Sequence, residues 1–439
     1  MLHDELKYLN KYPFHMPGHK RNGKFGIAGS DIDITEIVGF DDLHEPNGTI
    51  AQVEEICQKL YKSKSSVLLV NGSTVGILAA VFAMTHYGDK VIVAANCHKS
   101  VYNACALRKL KTIIANPRFD GVNGIYTRLT QYEVDRVIKL HPDAKLLIFT
   151  SPTYEGYISE IKTDLPVIVD AAHGAHLPFF EETLKYRKGN IVISSLHKTL
   201  PALTQTAIAN IYDTNYIRPF RHYIDTFETS SPSYVLMNSA SICAKFLNNR
   251  TDEFQTLQTA LRQFYRMTEL RHLKLLISDD ISKINISTAG TNISGIELGN
   301  ILRNEYGFEC EAANLRHVIL MATVGDDFTV YEKLSGVLKE IDGRLKSTVI
   351  KPIPCRIFND EEYDFSLEPA DSEFVELNKS NGRICAEFVY AYPPGIPILF
   401  PNALITSETI HMISDLMNHG VNLTSTGKLL PRSILTKKE

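Results

Sequence analysis

Between residues 65 and 212, short apolar runs alternate with longer stretches in which apolar residues return at helical spacing. Val67–Val70, Val91–Ala95, Thr112–Ala115, Leu146–Phe149, Val167–Val169, Ile191–Ser194 and Ala207–Tyr212 are short and rich in β-branched or aliphatic side chains, which predicts strands. Val75–Tyr87, Ser100–Leu110 and Gln131–Leu140 carry the helical period, and Thr130 stands where the last of these needs a cap. Strands apolar almost throughout, alternating with helices, predict an α/β fold with a mainly parallel central sheet covered by helices on both faces. After Pro232 the texture changes to long helices, Tyr234–Leu247 and Glu253–Leu276, the second with Leu257, Leu261, Phe264, Met267 and Leu270 on one side. Beyond about residue 283, short strands and the helices Gly295–Tyr306 and Phe328–Leu345 predict a smaller C-terminal α+β domain. The expected division is an N-terminal arm at 1–50, a large domain at 51–282 and a small domain at 283–439, with a polar, basic end at 431–439 expected to fray.

The chain of 439 residues is 44% hydrophobic, enough to bury such a core. A net charge of −4 gives no electrostatic reason to expect nucleic acid or an anionic membrane as partner. The sequence holds no apolar run long enough to span a bilayer, and its first residues have no signal-like apolar region. Cysteines 57, 97, 105, 243, 310, 355 and 385 form no CxxC pair, which argues against a thiolate metal site and for a reducing, cytoplasmic setting.

In an open α/β sheet, ligands sit beyond the carboxyl ends of the strands. Gly72, Ser73 and Thr74 fall between a predicted strand and helix, where two hydroxyls and backbone N–H groups suit a phosphate; an N-cap with a turn is the plain alternative. The segment is not a Walker A loop, because no Gly-Lys-Ser/Thr follows. His98 lies just past a strand end, where a lone histidine is more often a satisfied polar group than a functional one. Asp170 ends an apolar run with His173 and His176 behind it, and a carboxylate placed so needs a partner. A helix cap or a metal site would also account for it. Ser194, Ser195, His197 and Lys198 follow another buried strand, and a lysine desolvated there is a candidate nucleophile towards a carbonyl. Together these residues meet the needs of pyridoxal 5'-phosphate (PLP): a lysine for a Schiff base, a carboxylate for the ring nitrogen, an anion site for the phosphate and a flat group against the ring.

At this point the chain resembles the ornithine/lysine/arginine decarboxylase family of fold-type I PLP enzymes. The blocks FHMPGHKRN (14–22), DITEIVGFDDLHEPNG (33–48), VNGSTVG (70–76), PTYEG (152–156), VDAAHGAH (169–176), SLHKTLPALTQ (195–205), TSSPSY (229–234) and AYPPGIP (391–397) carry the resemblance over nearly the whole length. It implies that Lys198 holds PLP as a Schiff base, that His98 stacks on the ring and that Asp170 pairs with the ring nitrogen. His173 would sit near the ring oxygen, while Gly72, Ser73, Thr74, Ser195 and His197 would hold the phosphate or shape its pocket. The implied reaction is decarboxylation of lysine, arginine or ornithine to the amine, with Lys198 or His197 returning a proton to the α-carbon. It also implies a homodimer in which Thr229–Tyr234 reaches the partner's active site. Two departures are expected to matter: the chain resembles a short branch without an N-terminal wing domain, and Asn402 and Ala403 stand where many relatives carry Gly-Glu at the substrate site. Glu311 is a candidate replacement for that acid. Another PLP reaction, or a weakly catalytic regulatory relative, remains an alternative on the same scaffold.

Overall fold

The predicted strands form, each within a residue or two of its expected bounds: β1 (Ser65–Leu69), β2 (Lys90–Ala94), β3 (Lys111–Ala115), β4 (Leu146–Thr150), β5 (Val167–Asp170), β6 (Ile191–Ser195) and β7 (Ala207–Ile211). The computed structural model describes residues 2–438 except 8, 10, 181–188, 251, 354–356, 367–370, 392–394 and 419. Two compact units result, each built from separated stretches of chain.

The first unit comprises residues 1–84, 167–257 and 323–325. Here β5 and β6 run parallel, β7 is antiparallel to β6, and β1 is antiparallel to β7. The reversal of β7 departs from a parallel sheet for a simple reason: the link from Ser195 to Ala207 is too short for a parallel crossover, which needs a dozen or more residues. The strands are buried almost end to end. The helix Gly72–Met84 packs tightly on them: a Cβ at Gly76 would stand 2.7 Å from Leu69 and 2.9 Å from Ile193.

The second unit comprises residues 85–166, 258–322 and 326–439. It holds β2 between β3 and β4, all parallel, with Tyr363–Asp364 antiparallel on β3. The helix Gln131–Leu140 keeps its predicted bounds, and Thr130 caps it by accepting the Glu133 N–H. A second sheet is antiparallel, in the order Lys274–Leu276, Lys283–Ser287, His317–Met321, Ala312–Ala313, and is accompanied by the helices Gly295–Tyr306 and Thr329–Arg344. A further apolar cluster unites Leu377, Cys385, Val389, Leu399, Ile405, Ile413, Leu423 and Ile434 around the helix Ser407–Asn418, which the sequence reading did not single out.

Two expectations are corrected. The helix expected over 253–276 stops at Met267, because the buried Asp342 carboxylate takes the N–H groups of Arg271, His272 and Leu273 at 2.7–2.8 Å and leads the chain into a strand. The fraying expected at 431–439 is not seen over 433–437: Ser433–Lys437 pairs antiparallel with Ser372–Glu376, burying Ile434 and Thr436. Cys355 and residues 392–394 of the AYPPGIP block lie outside the described residues. Among the described residues no helix is long and apolar enough to cross a membrane.

Candidate active site

The sequence-predicted residues Gly72, Ser73, Thr74, Asp170, His173, Ser195, His197 and Lys198 all belong to the first unit. Five of them meet at the carboxyl ends of two neighbouring parallel strands. β5 ends on Asp170, whose register partner on β6 is Ile193, two residues short of Ser195. After β6 the chain turns through the four-residue helix Leu196–Thr199, which carries His197 and Lys198. Thr206 fixes that turn: its carbonyl accepts the N–H of Leu196 at 3.0 Å and lies 2.9 Å from Nδ1 of His197, which therefore donates. Burial holds the His197 imidazole below its usual range, the Thr206 carbonyl opposes this, and the Lys198 charge adds to the lowering. The ring is thus neutral and a proton acceptor through Nε2.

Lys198 is half-buried, and its Nζ lies 3.1 Å from Nε2 of the buried His173. Asp170 is 3% exposed, and one carboxylate oxygen accepts the Ala172 N–H at 3.1 Å. Burial pushes its carboxyl above the ordinary range, while Lys198 and the Ala172 N–H pull it back. The helix-cap alternative for Asp170 is not realised, since the backbone beyond it forms turns rather than a helix. Among the described residues no group of three or more His, Cys, Asp or Glu side chains is placed to hold a metal ion.

The hydroxyls of Ser194, Ser195 and Thr199 are buried and meet no hydrogen-bond partner among the described residues. An unmatched buried polar group costs about 1–3 kcal/mol. Of the three, Ser195 ends the strand on the same face as Ile193, the register partner of Asp170, and Thr199 closes the turn that carries Lys198. These two fit a polar ligand better than a closed core; Ser194 faces the other side of the sheet. Nearby, the first turn of the helix Gly72–Met84 offers Ser73, half-buried, and Thr74, exposed; the helix begins earlier than its apolar period suggested, so these residues open the helix instead of preceding it. Gly72 takes a φ of +77°, which favours glycine, and its N–H reaches the Gln205 carbonyl at 2.8 Å. These features fit PLP: an amine, a buried carboxylate calling for a cation, unmatched hydroxyls and a helix N-terminus for an anion.

His98, in the second unit, caps the helix Lys99–Leu107, its Nδ1 accepting the Ser100 N–H at 3.2 Å. In that unit Glu311 accepts the Tyr154 hydroxyl at 2.8 Å. Asn402 sits in a turn at φ +66° with its amide donating to the Asp364 carbonyl, and Ala403 packs against the C-terminal apolar cluster. Sequence reasoning missed Gln205 and Thr206, which act through backbone carbonyls and so leave no mark of side-chain chemistry.

Residues 5–286 match the family described as Orn/Lys/Arg decarboxylase, major domain, and residues 344–419 match Orn/Lys/Arg decarboxylase, C-terminal domain. The chain is similar to the uncharacterized protein YaaO of Bacillus subtilis, with 30% identity covering 97% of this chain and 95% of that protein. It is also similar to the arginine decarboxylase of Bacillus subtilis, with 28% identity over 94% of this chain and 93% of the other. Among solved structures it resembles the constitutive lysine decarboxylase of E. coli, with a TM-score of 0.80 and 16% identity, covering 100% of this chain and 81% of that one. The expected α/β fold, that of the fold-type I PLP enzymes, is thereby established.

Proposed function

The chain belongs to the Orn/Lys/Arg decarboxylase family, and from that premise we propose that it is a PLP-dependent decarboxylase of a basic amino acid, releasing the corresponding amine and CO2. The observation that carries the reading is the meeting of Lys198 with His173 and, within electrostatic reach, the buried Asp170, with the unmatched hydroxyls of Ser195 and Thr199 in the same strand-to-turn segment. Arginine is the first substrate to try, because relatives named arginine decarboxylase from several Bacillus species match over more than nine-tenths of this chain.

Lys198 would hold the cofactor's carbonyl carbon, Asp170 its ring nitrogen, His173 its ring oxygen and His98 its ring face. Gly72, Ser73, Thr74, Ser195 and His197 would take the phosphate. Bound there, PLP supplies a sink for the electron pair left when the substrate's carboxylate departs. Asp170, buried at the strand end, would pair with that ring nitrogen and favour its protonated form. Nε2 of His173 accepts from the Lys198 amine and so orients it. Lys198 or His197 would return a proton to the substrate α-carbon; His197, whose Nδ1 proton is engaged by the Thr206 carbonyl, would first have to take one up at Nε2.

The proposal extends to a cytoplasmic homodimer with Thr229–Tyr234 entering the partner's site. Its support is that Ser230 and Ser231 are exposed between fixed ends, and that Phe14 is 90% and Tyr12 73% exposed in the same unit. The division into an arm at 1–50, a large domain at 51–282 and a small domain at 283–439 is likewise proposed, the two family matches lying at 5–286 and 344–419. The test is mass-spectrometric product analysis of the PLP-loaded protein with arginine, lysine, ornithine and other amino acids, beside Lys198→Ala. Agmatine, cadaverine or putrescine from the parent alone is the expected result. No amine from any basic amino acid, with PLP bound, would overturn the reaction assignment.

A further inference from the structure

The strand–helix corner that presents Gly72–Thr74 is held from behind by a carboxylate that the proposed chemistry leaves unused. Glu228 directly follows the helix Ile217–Phe227 and is 6% exposed. One of its oxygens accepts the Val70 N–H at 3.3 Å, and the Asn71 N–H also donates to the carboxylate. The other oxygen accepts the Thr229 N–H at 3.3 Å. The next N–H along the corner, that of Gly72, goes to the Gln205 carbonyl at 2.8 Å. Three successive backbone donors, residues 70 to 72, are therefore spent on fixed acceptors immediately before the first helical turn. The N–H groups of that turn have no acceptor within the helix. Their direction is set by the corner.

His44 completes the support. Its Nε2 lies 2.9 Å from the Thr229 carbonyl and its Nδ1 3.2 Å from an Asp225 carboxylate oxygen. A ring that donates from both nitrogens is the imidazolium, which places a positive charge within reach of Glu228. Burial raises the Glu228 carboxyl above its usual range, and the three backbone donors and His44 oppose this. Asp41 and Glu54, the other buried carboxylates of this region, are spent differently. Asp41 accepts the N–H of Ile50 at 2.6 Å and Glu54 pairs with Arg221 at 2.7 Å. Neither touches the corner at Val70–Gly72 in the bonds described.

We infer that Glu228, backed by His44, is a positioning residue that aims the Gly72–Thr74 turn at a phosphomonoester. The inference rests on the reading that this turn holds the PLP phosphate. It distinguishes PLP from pyridoxal, which has the same ring and aldehyde but no phosphate. Dissociation of each from the full-length protein is measured by the visible absorbance of the lysine-bound cofactor, with circular dichroism and thermal unfolding as checks on the fold. In Glu228→Ala, PLP affinity falls about 10- to 100-fold, the weight of a charged hydrogen-bond acceptor, while pyridoxal affinity changes by less than about threefold. Glu228→Gln can turn its one amide oxygen to Val70 and Asn71 or to Thr229 but not to both, so it loses about three- to tenfold, again for PLP alone. If Glu228→Ala does not fold, Glu228→Gln decides the matter. An unchanged ratio of PLP to pyridoxal affinity in a folded variant, or an equal loss of both, overturns the inference. The paired variant Ser73→Ala/Thr74→Val separates the two layers. If neither it nor the Glu228 variants shift the ratio, the phosphate is not held there and the underlying reading fails. If it shifts the ratio while the Glu228 variants do not, only the positioning role fails.

Discussion

Lys198 and Lys283 stand near the ends of buried strands in different units, each within electrostatic reach of a buried carboxylate: Asp170 for the first, Glu155 for the second. Around Lys283 the protein is closed. The side chain is 0% exposed, its carbonyl accepts the Tyr265 hydroxyl and the Asn285 amide, and a Cβ at Gly156 would stand 2.9 Å from its Cγ. Around Lys198 it is open: the side chain is half-buried, and the hydroxyls of Ser194, Ser195 and Thr199 are unmatched. Burial and a neighbouring carboxylate are common to both lysines; what differs is access, and on that difference rests the proposal that Lys198 and not Lys283 holds the cofactor.

The sharpest way to break this contrast is to remove each amine. Lys198→Ala is expected to abolish turnover while leaving the unfolding free energy within about 1 kcal/mol of the parent. Lys283→Met should lose about 1–3 kcal/mol of stability by disturbing a wholly buried site, yet the folded fraction should keep its specific activity. Denaturant titration beside single-turnover assays checks both. A Lys283 variant that folds normally but is inactive would erase the distinction.

Much of the first site was legible because its residues follow apolar runs. A strand such as Ile191–Ser195 announces itself, and whatever polar group follows it must lie at the rim. Gln131–Leu140 with its Thr130 cap and Gly295–Tyr306 were equally plain, since period and cap are local signals. What stayed hidden was set by distant partners. Asp342 ends a helix about seventy positions earlier in the chain; Ser433–Lys437 becomes a strand only because Ser372–Glu376 pairs with it; Glu387, wholly buried, takes the N–H groups of Gly427 and Leu435. The burial of Lys283 is of this kind too, for nothing local separates it from a surface lysine at a strand start.

The carboxylates offer a second, smaller contrast. Asp170→Asn keeps the shape but cannot hold a cationic ring nitrogen by charge, and should reduce kcat by about a hundredfold or more, with little change in stability. A loss of less than about threefold in steady-state assays would remove Asp170 from the proposed role. Ser195→Ala tests the open site from its other side. Deleting an unmatched buried hydroxyl should leave stability unchanged or slightly raised, but weaken PLP by about tenfold, as read by cofactor titration. Weaker folding with unchanged PLP affinity would mean that the hydroxyl serves the core.

Glu155 leaves activity aside and is read through the pH dependence of stability. Burial raises its carboxyl to about 7 in the folded protein from the ordinary 4.5, with its own backbone N–H, Thr153 and Lys283 opposing. The folded state thus holds the proton more tightly than the unfolded state. Stability falls as pH rises from about 4.5 to about 7 and then levels off, a change on the order of a few kcal/mol. Glu155→Gln should flatten that part of the curve in chemical denaturation between pH 5 and 8. A parent and variant with parallel curves would contradict it.

The most direct measurement is borohydride reduction of the PLP-loaded protein followed by peptide mapping, which fixes the cofactor to whichever lysine bears it. The account predicts the pyridoxyl mass on the peptide containing Lys198 and none on the peptide containing Lys283. Label on Lys283 or another lysine, or an unmodified Lys198 in a protein that has bound PLP, would contradict it.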